Sequence, residues 1–133
     1  MPGTQAPPAG NPGKTRHWPN EIRLRRAERC LEITFEDGTH YSLSAEFLRV
    51  ESPSAEVRGH GARDHKRVVS GCRHVAITAV EPVGNYAVRL IFDDGHDSGL
   101  YSWTTLYELG QHRDELWAEY LAQLAAHGVS RDP

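Results

Sequence analysis

Six side chains have the types and spacing to bind a metal: His60, His65, Cys72, His74, His96 and Asp97. Four of them fall in the single stretch from His60 to His74. Neutral imidazoles joined by a carboxylate suit a first-row divalent cation, here iron or zinc. His60 stands in the run Arg58, Gly59, His60, Gly61, and His96 follows Asp93, Asp94 and Gly95. If the segment carrying His60 folds over the turn carrying His96, the two rings meet beside Asp97. The plainer alternative has His96 capping its own turn or packing at a sheet edge, with His65 and His74 at the surface. Cys72 is a candidate ligand as well. One thiolate does not hold an iron–sulfur cluster, which usually takes four, and Cys30 lies on an alternating strand that predicts a core position.

A second set of residues suits recognition rather than chemistry. Tyr86, Tyr101 and Trp103 flank the same turn, and aromatic residues anchor partner surfaces. Packing between sheet and helix is the alternative for all three. Arg49 has two acids within plausible reach, Glu51 and Asp94, either of which would pin the neighbouring loop. No nucleophile–base pair, phosphate-binding loop or pair of carboxylates in distinct environments is visible, so no enzyme is expected.

These residues need a scaffold, and the composition permits one. The chain has 133 residues, enough for a single domain, with a formal net charge of −3 that gives no reason to expect a nucleic-acid partner. No apolar run approaches the roughly eighteen residues of a membrane span, and no secretory leader is expected at the start. Two cysteines make no disulfide framework and point to a reducing cytoplasm. Residues 1–17, rich in Pro and Gly, predict a disordered tail. Residues 18–128 form the domain, and 129–133 a short tail.

Within the domain, apolar residues alternate with polar ones at Ile22 and Leu24, at Leu31, Ile33 and Phe35, and at Tyr41 and Leu43, which predicts half-buried strands. Asp37-Gly38 and Asp94-Gly95 are turn signals. Val75, Ile77 and Ala79 predict a strand, and Tyr86 to Phe92 a more central one. Ser44 is a good helix cap, as is Ser102 or Thr104. A last helix runs from about Arg113 to His127, with an apolar stripe of Leu116, Trp117, Tyr120, Leu121 and Leu124, closed by Gly128. Residues 51–66 show no period and predict a long loop. The run from Ile33 to Leu48 resembles that from Leu90 to Leu106, with one extra residue in the second turn. Both read as strand, Asp-Gly turn, strand and capped helix. The fold class expected is α+β: a small antiparallel or mixed sheet of hairpins packed against C-terminal helices in two layers.

Three stretches carry a wider resemblance: Phe35 to Gly61, Val80 to Trp103, and Leu106 to Gly110. Together they resemble the DUF971 family, the γ-butyrobetaine hydroxylase-like N-terminal domain, over roughly Pro19 to Ala126. The resemblance implies a compact α+β domain of a kind found ahead of the iron-dependent catalytic domain of carnitine-pathway dioxygenases. It also implies relatives fused to Mrp-type iron–sulfur carriers and stand-alone bacterial members. In the dioxygenases three cysteines and a distant histidine bind zinc. Here the cysteine positions fall on Ser52, Ser54 and Val57, and only His96 matches, so that zinc site is expected to be lost. The function expected is a non-catalytic accessory or interaction domain acting with iron–sulfur or metal-handling proteins, such as an Mrp-type carrier, or with a second copy of itself. Its partner surface would use Arg58, Gly59, His60, Gly61, His96, Asp97, Tyr101 and Trp103. The alternative is a metal-binding module centred on His96 with loop histidines.

Overall fold

The computed structural model describes residues 18–52, 69–97 and 99–133. The expected tail at 1–17, most of the loop at 51–66, and the candidates Arg58, Gly59, His60, Gly61 and His65 lie outside the described residues. Strands β1 (Pro19–Arg25), β2 (Cys30–Phe35) and β3 (His40–Ser44) lead into helix α1 (Ala45–Val50). Strands β4 (Ile77–Val83), β5 (Ala87–Phe92) and β6 (Gly99–Ser102) lead into α2 (Trp103–Gln111), and α3 (Arg113–His127) follows. The α+β class is as expected. The strands divide into two antiparallel sheets, ordered β1-β2-β3 and β4-β5-β6. Among the described residues no helix is long and apolar enough to cross a membrane.

The two sheets are two copies of one unit, and the copy extends further upstream than the sequence likeness. In each, the first strand carries a register break near its start, between Pro19 and Glu21 and between Ile77 and Ala79. Each hairpin closes through the same turn. Gly38 and Gly95 have φ of 91° and 93°, and their N–H groups reach back to the carbonyls of Phe35 and Phe92. Phe35 N–H then donates to Thr39 C=O at 2.8 Å, and Phe92 N–H to His96 C=O at 3.0 Å. This is a three-residue hairpin loop whose last position is left-handed, which glycine occupies without steric cost. Each helix is capped by a serine: Ser44 Oγ accepts from Phe47 N–H, and Ser102 Oγ from Thr105 N–H. The extra residue of the second copy falls between its turn and β6.

Alternation sets what is buried. Leu31, Ile33 and Phe35 are fully buried, and so are Leu90 and Phe92 on β5. Each such side chain contributes about 1.5–3 kcal/mol relative to exposure. Cys30 shares a face with Glu32 and Thr34 rather than with this core, and is half-buried. The core position expected for it is therefore incorrect: strand parity turns it outward. On α3, Tyr120 and Leu124 are buried and Leu116 and Trp117 pack partly, whereas Leu121 is 40% exposed at the margin of the stripe.

α3 ends as Gly128 predicts, with Val129 N–H on Leu124 C=O and Gly128 N–H on Ala125 C=O. That closure sends residues 129–133 back across the domain. The N–H groups of Gly71 and Arg73 donate to the carbonyls of Ser130 and Arg131. The Arg131 guanidinium makes two 2.8 Å bonds to the buried Glu46 carboxylate and sits 5.2 Å from the Trp117 ring centroid. Pairing with Glu46 holds the Arg131 pKa above its ordinary value.

Two measurements follow from this packing. Arg131→Ala leaves the Glu46 carboxylate buried without its cation and is expected to cost about 3 kcal/mol in urea unfolding. Adding Glu46→Gln should recover part of that loss. The Tyr120 hydroxyl donates to Val69 C=O at 2.6 Å, and burial pushes its pKa from 10.0 to about 12. The folded state thus favours the neutral phenol. Its contribution is complete below pH 10 and is lost as pH rises through about 12. Urea unfolding across that window should show a shallower decline for Tyr120→Phe than for the parent chain.

Candidate functional site at the second Asp-Gly turn

The second turn is held from outside its own hairpin. Asp94 Oδ1 accepts from His96 N–H at 3.1 Å, while Asp94 Oδ2 accepts from Arg49 Nε at 2.9 Å. Of the two acids considered for Arg49, the ion pair is made to Asp94. Arg49 belongs to the first repeat and Asp94 to the second. The first turn is held the same way in reverse: Asp37 Oδ1 accepts from Thr39 N–H at 2.9 Å, and Oδ2 from the Tyr107 hydroxyl at 2.8 Å. Arg49 and Tyr107 each stand five residues after the capping serine of their helix. Each repeat therefore grips the turn of the other with the same helix position. Tyr107 also packs edge-on against Phe35 and Tyr41, with centroids at 4.9 and 5.7 Å. Gly110, one turn further on, leaves room for the Tyr41 ring; a Cβ there would come within 2.3 Å of it.

His96 is half-buried. Its Nε2 lies 2.9 Å from Ser52 Oγ, and its ring is tilted on Phe92 at 5.9 Å. Ser52 is thus brought to His96 across the domain, as the likeness to a Cys-and-His zinc site would place it. The donor set does not fit zinc. A neutral hydroxyl occupies the first thiolate position and is hydrogen-bonded to the imidazole nitrogen nearest it, and the other two positions are Ser54 and Val57. Gly99 makes the approach possible, since a Cβ there would lie 2.8 Å from Ser52 Oγ and 2.9 Å from the Tyr101 ring. A Ser–His contact has the separation of a nucleophile and base, but both oxygens of Asp94 already accept other donors rather than orienting the ring.

The remaining candidates are placed as follows. Asp97 is exposed. His74 is exposed, as the plainer reading had it. Cys72 is buried, with its thiol 3.6 Å from Ser70 C=O, and burial raises its pKa. Tyr101 is fully buried, and its hydroxyl donates to Leu48 C=O at 2.5 Å, so its place is in the core. Trp103 is half-buried and its indole N–H donates to Asn85 C=O at 2.8 Å. Tyr86 is 52% exposed. Among the described residues no three His, Cys, Asp or Glu side chains converge on one point.

The turn clasp is testable by a double-mutant cycle. Arg49→Met, Asp94→Asn and the pair should reveal a coupling of about 1 kcal/mol, weakened by salt. Equal, additive losses would show that the contact contributes nothing.

Comparison with known proteins agrees with this arrangement. The family described as gamma-butyrobetaine hydroxylase-like, N-terminal matches residues 22–107, a span that reaches into both repeats. No curated protein matches the chain. Among solved structures, one determined by NMR is 50% identical with a TM-score of 0.77, covering 88% of this chain and 91% of its own. Another NMR structure is 48% identical, also at 0.77, covering 94% and 92%. A crystal structure from Acidithiobacillus ferrooxidans, of a protein with unknown function in the DUF971 family, is 39% identical with a TM-score of 0.58, covering 69% and 91%. The chain is a member of the DUF971 family, the gamma-butyrobetaine hydroxylase-like N-terminal domains.

Proposed function

We propose that this chain is a non-catalytic accessory domain that binds another protein, with an iron–sulfur or metal-handling protein, such as an Mrp-type carrier, as the partner. The observation that supports it is where the family's signature spends its polar groups. Asp94 holds Arg49 and the His96 backbone, His96 meets Ser52, Tyr101 holds Leu48 C=O, and Trp103 holds Asn85 C=O. These contacts fix the shape of a surface and leave no arrangement of nucleophile, base and oxyanion donors. Resemblance to domains that accompany dioxygenases and iron–sulfur carriers supplies the class of partner, by analogy of architecture. The Ser52–His96 contact favours a second reading, a divalent-metal module built on His96.

Calorimetric titration of the chain with a purified Mrp-type carrier, together with elemental analysis of the chain alone, separates the two. The accessory reading expects a saturable complex and no stoichiometric metal. Metal near one equivalent that is lost in His96→Ala, without complex formation, would replace it with the metal module.

A further inference from the structure

Four strands lie at sheet edges, and three carry features that discourage further pairing. β1 begins with Pro19, has a register break, and presents Arg23 and Arg25. β4 contains Pro82 and the corresponding break. β6 is only four residues long, with Ser52 laid against Gly99. Proline, irregular register, basic side chains and short length are the usual protections of an edge. β3, His40–Ser44, has none of them.

The register shows what β3 offers. Phe35 N–H bonds to Thr39 C=O and Ala45 N–H to Arg29 C=O, and Ile33 pairs with Tyr41 and Leu31 with Leu43 between them. Alternation along an antiparallel pair then turns the backbone groups of Tyr41 and Leu43 toward β2, and those of His40 and Ser42 away from it. Among the described residues, no backbone bond outside the strand ladder involves His40 or Ser42. Their side chains are drawn back over β2: His40 Nδ1 to Thr34 Oγ1 at 2.9 Å, and Ser42 Oγ to Cys30 Sγ at 3.5 Å. The edge is left clear.

An open groove of about 700 Å³ runs along that edge, with Gly110 to Glu115 at the α2–α3 corner as its far wall. A strand residue in a sheet occupies about 160 Å³, from its rise, strand spacing and sheet thickness, so the groove takes about four residues of one strand. It does not have room for a strand backed by its own sheet. At the Ser44 end, Arg113 and Asp114 are shared with a smaller pocket of about 210 Å³ that Phe47 and Trp117 line.

We infer that β3 is a strand-addition site: an extended segment of another protein pairs with His40 and Ser42 and places a leucine- or phenylalanine-sized side chain between Phe47 and Trp117. Backbone bonds supply affinity in this mode, and the pocket supplies selectivity. The inference rests on the accessory reading and adds where the partner docks.

The test is a selection of random dodecapeptides displayed on phage against the intact chain. Enriched sequences should share one large apolar position. A synthetic peptide from the selection should shift the backbone amides of His40 and Ser42 and the Trp117 indole in NMR spectra. Ser42→Pro, at an edge position where proline is tolerated, should weaken binding about tenfold by removing one outward N–H. N-methylating the facing amide of the peptide should do the same with the protein unchanged. No enrichment, shifts that map elsewhere, or indifference to N-methylation would overturn the inference. So would a dimer in sedimentation whose His40 and Ser42 amides resist exchange, since the edge would then belong to a second copy. If the carrier binds the parent chain and Ser42→Pro equally, the groove is refuted and the accessory reading stands. If selected peptides bind at β3 while the carrier does not bind, the reverse holds.

Discussion

The exchange of turns between the two repeats is the constraint on which this molecule depends. Asp37 and Asp94 each spend one carboxylate oxygen on their own turn and the other on the helix of the opposite repeat. Neither hairpin is therefore held only by its own unit. A three-stranded antiparallel sheet with one short helix buries little surface, and small units of that size are marginal alone. Coupling each turn to the other unit's helix makes folding of the two repeats a joint event. The same coupling positions the signature: Arg49 fixes Asp94, Asp94 fixes the His96 backbone, and His96 then faces Ser52.

Much of this was legible in the sequence, and the legible parts were local. Period-two alternation gave β2 and β5, the Asp-Gly pairs gave both turns, and serine caps with Gly128 gave the helix ends. The hairpin duplication was legible too, because Phe35 to Gly38 and Phe92 to Gly95 kept nearly the same residues. Its upstream half was not. Pro19–Arg25 and Ile77–Val83 share a register break but almost no residue types, and a break leaves no signature in composition. Cys30 is a case where the signal was available: with Leu31 and Ile33 turned inward, parity alone puts residue 30 outward.

Contacts between distant segments were the part that spacing could not supply. Arg49 had two acids in plausible reach, and only the folded chain selects Asp94. Tyr101 read equally well as surface or core until its hydroxyl was seen on Leu48 C=O. The return of residues 129–133 onto 71–73 depends on Arg131 meeting Glu46 across 85 positions, a pairing for which neither residue carries a local cue.

The reciprocal clasp also bears on how such a chain can change. Contacts in which position i of one unit meets j of another, and j meets i, are those of a two-fold dimer. In a dimer of identical halves, any substitution would appear at both ends at once. Here the two units are segments of one polypeptide, and each end varies by itself. One end has become ionic, through Arg49, and the other has remained a neutral phenol, through Tyr107. Thr39 stands where the second copy has His96, so the histidine was gained or lost at one end without cost to the other. Covalent linkage has released the molecule from its own symmetry, and its single imidazole-bearing turn is the result.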